Sequence, residues 1–148
     1  MSKVTTALST SNQLNSNYDF SKIFLGENRY ESVTLLNADE EDEIEFPAGT
    51  LLGRIGASNK VVPLTSAATD GSQFPVGVLA NTITLAAEAE GTVSMCVSGD
   101  VAIEKVILQG SNTMATVIST RTIRDRIGAD TVGIKLVSTT DLTGFDNQ

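Results

Sequence analysis

Apolar and polar residues alternate in short runs through most of the chain. Val93, Met95 and Val97 share one phase, and Ser94, Cys96 and Ser98 occupy the other. Alternation with a period of two predicts short antiparallel strands. Other runs of this kind are Val33/Leu35, Ile44/Phe46, Leu51/Ile55 around Gly53, Val76/Val78 around Gly77, Ile83/Leu85 and Ile134/Leu136.

Turn-forming residues separate these runs. They are Pro47-Ala48-Gly49, Asn59-Lys60, Asp70-Gly71 and Gly110-Ser111-Asn112. The 12 glycines fit the bulges and corners of a small barrel. The pattern therefore predicts a mainly β protein, a small compact barrel or sandwich-like domain.

One short helix is expected near residue 122. Thr122 followed by Asp125 fits a capping box, Ile123 and Ile127 fall on one helical face, and Gly128 is placed to end the helix. Because so short a helix is unstable alone, we expect packing to hold it in place.

The first 17 residues are mostly Ser, Thr, Asn and Gln, which bury too little apolar surface to offset the entropy of ordering. Apolar anchors follow, and the candidate contacts among them are Tyr18, Phe20, Ile23 and Phe24. We predict a flexible, extended N-terminal arm over residues 1–25 and a single β-rich domain over residues 26–148. The arm either docks on its own domain or orders against a partner.

Composition excludes most enzyme classes. The chain of 148 residues has no His, which rules out His-based triads and His-ligated metals, and its one Cys cannot build a thiolate site. We therefore expect no catalytic residues, no metal and no cofactor. The net charge of −8 argues against nucleic acid as a direct partner, since that affinity depends on Lys and Arg.

Two charged clusters are candidates for binding. Asp39–Glu43 together with Glu45 is interpreted as a solvated loop between two strands, because contiguous acids lack the spacing of a calcium loop. Arg121, Arg124 and Arg126 form the concentrated basic spot. They either bind a carboxylate-rich partner surface or form the solvent-exposed face of the short helix. Cys96 is interpreted as a small core residue.

No secretory signal is expected from Met1 to Leu8, and no apolar run approaches the length that spans a bilayer. We therefore expect no membrane partner. The protein is predicted to be made and used in a cytoplasm, or on a particle assembled there.

The segment Ala67-Ala68-Thr69-Asp70-Gly71-Ser72-Gln73-Phe74-Pro75-Val76-Gly77-Val78-Leu79-Ala80 resembles the signature of the phage lambda head decoration protein D family. The resemblance extends over about residues 44–137 and includes three further segments. These are Phe46–Gly53, Val97–Val101 and, as the closing strand, Gly133–Val137.

The resemblance implies a β-tulip type of barrel with a structural role. Members of the family sit as homotrimers on the outside of an icosahedral phage head, at three-fold sites of the expanded shell. They clamp the neighbouring subunits of the major capsid protein against DNA pressure, and their N-terminal arm contacts the lattice. The resemblance thus implies a virion protein, made in the host cytoplasm, on the outer surface of the head.

Two alternatives stay open at this point. One is that the chain is another trimeric β-structured virion or tail module. The other is that it is a barrel enzyme whose catalytic groups are carboxylates alone. The enzyme would require two inward-facing acids on one cavity, one of them with a raised pKa. Glu43, Glu45 and Glu104 are expected to face outward or lie at turns.

Overall fold

A computed structural model describes residues 22–138, and these residues form ten strands and one α-helix. The prediction of a mainly β protein with one short helix is confirmed. The strands are β1 (Phe24–Leu36), β2 (Ile44–Phe46), β3 (Leu51–Arg54), β4 (Val61–Pro63), β5 (Pro75–Leu79), β6 (Ile83–Leu85), β7 (Glu90–Ala102), β8 (Val117–Ile118), β9 (Arg121–Thr122) and β10 (Gly133–Val137). The helix is α1 (Ile123–Asp130), and one turn of 3-10 helix covers Ile103–Lys105.

Five strands close into a barrel in the order β1-β4-β3-β5-β7, with β7 pairing back to β1. The remaining strand of this sheet, β10, extends it from β7, while β2 with β6 and β8 with β9 form two-stranded pairs. Closure removes most of the free strand edges that an open sheet would expose.

Two pairings are parallel, contrary to the expectation of antiparallel strands throughout. In one of them β1 meets β4 at Leu35 and Val61, and in the other β10 runs beside β7 from Ser98 to Ala102. Parallel pairing requires a crossover connection, and α1 lies within the segment that returns the chain to β7. β1 and β7 are also longer than expected, at 13 residues each.

The predicted alternation along β7 is confirmed, and it places residues of the two phases in two different cores. The inner core draws on all five barrel strands, and β7 contributes Val93 and Met95 to it. The outer core lies between the barrel wall, α1 and β10, and it includes Cys96 from the opposite phase of β7. Burial raises the pKa of the Cys96 thiol, which agrees with its interpretation as a core residue.

The predicted cap of α1 is confirmed, but its predicted end is wrong. Thr122 is the N-cap, and its Oγ1 accepts a hydrogen bond from the Asp125 N–H at 3.2 Å. Ile123 and Ile127 are fully buried, whereas Gly128 lies inside the helix. The helix ends two residues later, at Asp130, because the backbone becomes extended at Thr131 (φ −88°, ψ 167°). The Thr131 hydroxyl also donates to the Ile127 carbonyl.

The predicted turns at Gly49, Asn59, Gly71 and Gly110 are confirmed, since all four residues have positive φ. No helix among residues 22–138 is long and apolar enough to cross a membrane.

Candidate functional site

The base of the predicted arm lies beside the end of β7. The Ile23 carbonyl accepts a hydrogen bond from the Ala102 N–H at 2.9 Å, and Phe24 pairs with Val101. Both side chains are partly buried and pack against the outer core. The other two predicted anchors, Tyr18 and Phe20, lie outside the described residues.

An aromatic pair marks the surface next to this base. The Phe24 and Tyr30 rings meet edge to face, with centroids 5.7 Å apart and an interplanar angle of 79°. Tyr30 is 50% exposed. Sequence reasoning missed Tyr30 as a surface anchor, because its contact with Phe24 depends on the bend in β1.

That bend is fixed by Asn28. Its amide nitrogen donates to the Asp100 carbonyl at 3.0 Å, and its amide oxygen accepts from the Gly26 N–H at 3.0 Å. The register with β7 shifts three times between Phe24 and Tyr30, and Glu27 has φ of 54°.

Gly99 makes the bend possible. It has φ of +108°, and a Cβ at this position would lie 2.6 Å from the Asn28 Cα. Only glycine combines that conformation with that close approach. The Gly99-Asp100 pair in the segment that resembles the decoration family therefore has a local structural purpose.

The three arginines of the basic spot have different surroundings. Arg121 and Arg124 are exposed, whereas Arg126 is mostly enclosed by the domain. The Arg126 guanidinium donates to the Ile118 carbonyl at 3.0 Å and to the Ser119 carbonyl at 2.8 Å. It also lies 4.9 Å from the centroid of the Phe74 ring. Arg126 thus stabilises the β8–β9 hairpin, and the outward-facing positive charge belongs to Arg121 and Arg124.

Asp39–Glu43 lie where the sequence predicts, in an exposed loop between β1 and β2, whereas Glu45 lies in β2. Backbone N–H groups of Glu41 and Asp42 donate to the Asp39 carboxylate, each at 2.8 Å, and they lower its pKa. Buried Asn37 holds the loop in place, since its amide nitrogen donates to the carbonyls of Asp42, Leu85 and Ala86.

The segment around Asp70 is a tightly bonded turn against β3. The Asp70 carboxylate accepts from the Ser72 hydroxyl at 2.6 Å and from the Ser72 N–H at 3.0 Å. Gly71 has φ of +108°, a conformation that favours glycine. Gly77 packs closely against β7, since a Cβ there would lie 2.5 Å from the Met95 Cγ.

Two carboxylates that line one cleft have lowered pKa values, the opposite of the raised pKa expected for a general acid. A cleft of about 360 Å³ has Asp39 and Asp70 in its lining, and hydrogen bonds lower the pKa of both groups. A general acid needs the opposite shift. Glu43, Glu45 and Glu104 are exposed, as predicted. Across the described part of the chain, no group of three or more Cys, Asp or Glu residues is arranged to hold a metal ion.

Comparison with known proteins identifies the family. A search of curated proteins finds no match. The family model for bacteriophage lambda head decoration protein D matches residues 24–122. The match begins with β1 and ends at the cap of α1, so it starts before the 44–137 range of the sequence resemblance and leaves out β10. Since this match covers well over half of the sequence, the chain belongs to the bacteriophage lambda head decoration protein D family.

Proposed function

We propose that this protein binds the outer surface of the expanded phage head as homotrimers at three-fold sites and stabilises the shell against DNA pressure. The family match over residues 24–122 carries the proposal, because it covers the whole barrel and the base of the arm. In this role the partner is the major capsid protein, and the protein acts as a structural clamp without catalysis.

Two structural features support this role: the closed, well-packed barrel and the bent start of β1 beside the exposed Tyr30. The barrel is closed and has two packed cores, so it can transmit load between the lattice subunits that it touches. The start of β1 bends at bulges that Asn28 and Gly99 fix, beside the half-exposed Tyr30. In our proposal residues 1–25 extend from this point across the shell, and Tyr18, Phe20, Ile23 and Phe24 serve as anchors.

Clamping by a trimer works through multivalency. Once one protomer is bound, the other two meet their sites at high effective concentration, so that three modest contacts give tight overall binding. A protein that binds only the expanded lattice stabilises that state by mass action. No additional chemistry is needed for either effect.

Co-sedimentation with phage heads tests the proposal. Purified protein is mixed with expanded and with unexpanded heads of the cognate phage, and the pelleted protein is counted per head. We expect pelleting with expanded heads alone, at three copies per three-fold site. Failure to pellet with either kind of head would contradict the proposal and favour a tail or other virion module.

A further inference from the structure

Asp70 and Gly71 form the one Asp-Gly pair in the sequence, which has no Asn-Gly pair. An Asp-Gly bond is chemically vulnerable, because glycine has no side chain to shield its amide nitrogen from the preceding carboxyl group. Asp70 is exposed in the structure, so solvent water reaches it. The dipeptide and its exposure mark this bond as a site where the backbone would isomerise if nothing prevented it.

Isomerisation begins with attack of the Gly71 backbone nitrogen on Cγ, the carboxyl carbon of Asp70. A C–N bond forms, the nitrogen loses its proton, one carboxyl C–O bond breaks and water leaves, which gives a five-membered succinimide ring. Solvent water then opens the ring at either carbonyl. Opening at the backbone carbonyl leaves an isoaspartyl residue, whose main chain passes through Cγ and is one carbon longer.

Hydrogen bonds hold both of the groups that would react. The Gly71 N–H donates to the side-chain oxygen Oε1 of Gln73 at 2.9 Å. The Asp70 carboxylate accepts from the Ser72 hydroxyl at 2.6 Å and from the Ser72 N–H at 3.0 Å. The attack requires the nitrogen to lose its proton and the carboxyl group to turn its face toward that nitrogen. The bond to Gln73 opposes the first change, and the bonds from Ser72 oppose the second.

The bonds from Ser72 also keep the carboxyl group in its less reactive form. The Ser72 hydroxyl, and after it the Ser72 N–H, lower the pKa of Asp70, so the group is ionised at neutral pH. A carboxylate resists nucleophilic attack, because its carbon is electron-rich and it has no hydroxyl group to leave as water.

The backbone around the turn leaves no room for the isomerised product. The Asp70 carbonyl accepts from the Gly56 N–H at 2.8 Å, and a Cβ on Gly71 would lie 2.8 Å from the Arg54 carbonyl oxygen. A main chain longer by one carbon could not keep these contacts. Ser72 is only 3% exposed, so its hydroxyl cannot leave the carboxylate unless the turn opens.

We propose that Ser72 and Gln73 protect the Asp70-Gly71 bond from isomerisation. Gln73 engages the attacking amide, and Ser72 fixes the carboxylate that would be attacked. Both are positioning residues, and their effect is a chemical rate at one bond rather than the stability of the whole domain.

Measurement of isoaspartate in the full chain tests the proposal. The protein is incubated at neutral pH, isoaspartate is quantified by methylation with an isoaspartyl methyltransferase, and mass spectrometry locates it in the sequence. A synthetic peptide of residues 67–80 gives the rate without the folded turn. We expect the full chain to isomerise at residue 70 more slowly than the peptide.

Variants assign the protection to the two side chains. Gln73→Ala should raise the rate at Asp70 by at least about fivefold, the population effect of losing one hydrogen bond. Gln73→Glu keeps an acceptor oxygen for the Gly71 N–H, so its rate should stay close to that of the wild type. Ser72→Ala should also raise the rate. Because Gln73 is only partly buried, Gln73→Ala carries the test even where Ser72→Ala fails to fold.

Asn28→Ala is the control for a general loss of stability, because it removes hydrogen bonds at the start of β1 and leaves the turn intact. Its isomerisation rate at Asp70 should match that of the wild type. A full chain that isomerises as fast as the peptide would overturn the proposal. Equal rates in the wild type and Gln73→Ala, or an equal rise in Asn28→Ala and Gln73→Ala, would overturn it as well.

Discussion

Gly53 in β3 lies directly against the backbone of Ser72, and a Cβ on Gly53 would lie 2.1 Å from the Ser72 carbonyl oxygen. Ser72 belongs to the Asp70 turn, so the turn can pack on β3 only if residue 53 has no side chain. The Thr65 N–H donates to the same Ser72 carbonyl at 3.2 Å, which ties the loop after β4 to the turn. One glycine thereby fixes the position of the family-typical segment.

Gly53→Ala is expected to destabilise the domain, because the added Cβ would meet backbone atoms of Ser72, which cannot move aside as a flexible side chain could. We expect a loss of about 3 kcal/mol in the free energy of unfolding, at the upper end of overpacking costs. Gly128→Ala is the matched control: it is helical with open space around it, and we expect a gain of about 1 kcal/mol. Chemical denaturation measures both, and equal stability of the two variants would contradict the packing argument.

Asn28→Ala is expected to loosen the base of the arm. The substitution leaves the Asp100 carbonyl and the Gly26 N–H without their side-chain partners. A loss of about 1–3 kcal/mol is expected for unsatisfied groups of this kind. Amide hydrogen exchange should rise around Gly26 and Asp100 and stay unchanged in β3. Protection that remains high at Gly26 would show that the bulge is held by other contacts.

Arg126→Lys should weaken the hairpin even though it keeps the charge. A lysine cannot donate in the fork geometry that reaches the Ile118 and Ser119 carbonyls, nor can it stack in the same way over Phe74. We expect a loss of about 1–2 kcal/mol in thermal or chemical unfolding. Arg124→Lys is the same change at an exposed position of the same helix, and it should alter stability by less than about 0.5 kcal/mol. Similar losses in both variants would contradict an internal role for Arg126.

The Asp70 turn should weaken in acid. The Ser72 hydroxyl, and after it the Ser72 N–H, lower the pKa of Asp70 from its ordinary value of 3.8. Because the folded pKa is the lower one, this group stabilises the fold above the unfolded pKa and loses that contribution as the pH falls through the folded pKa. Ser72→Ala removes the larger cause, so the pKa of Asp70 should rise toward 3.8 in an NMR titration. The pKa of Asp39 should not move, since its hydrogen bonds come from Glu41 and Asp42.

Deletion of residues 1–20 should weaken head binding and leave the folding of the barrel unchanged. The described barrel begins at Phe24, so we expect the unfolding temperature to stay the same. Apparent affinity for expanded heads should fall by at least about tenfold, or roughly 1.4 kcal/mol, if the arm contributes contacts. Tyr18→Ala/Phe20→Ala keeps the arm at full length and tests its predicted anchors. Unchanged occupancy in the deletion variant would refute the arm hypothesis.

Local patterns predicted the local structure. The phases of Val93 and Met95 against Cys96 predict opposite faces of one strand, and these residues do lie on opposite faces, in the inner and the outer core. Thr122 and Asp125 locate the start of α1, because capping depends on neighbours in sequence. The predicted end of α1 was wrong, since a glycine allows a helix to end but does not require it, and the backbone becomes extended only at Thr131.

Contacts between residues far apart in the sequence could not be predicted from local sequence patterns. Asn28 bonds to a residue 72 positions away, and nothing next to it in sequence signals that contact. Arg126 is a second example. In the sequence it is one of three neighbouring arginines, and only the structure shows its contacts with the Phe74 ring and the Ile118 carbonyl. The parallel pairing of β10 with β7 likewise depends on the path of the chain through α1. Closed barrels are assembled from such contacts, so single-sequence reasoning identifies the strands better than their order.

The central claim is that the protein occupies three-fold sites on the outside of expanded heads. Cryo-electron microscopy of expanded heads, imaged with and without added protein, tests this location most directly. Our account predicts additional outer density at each three-fold site, made of three copies of the barrel. Added density elsewhere on the particle, or heads that look identical with and without the protein, would contradict it.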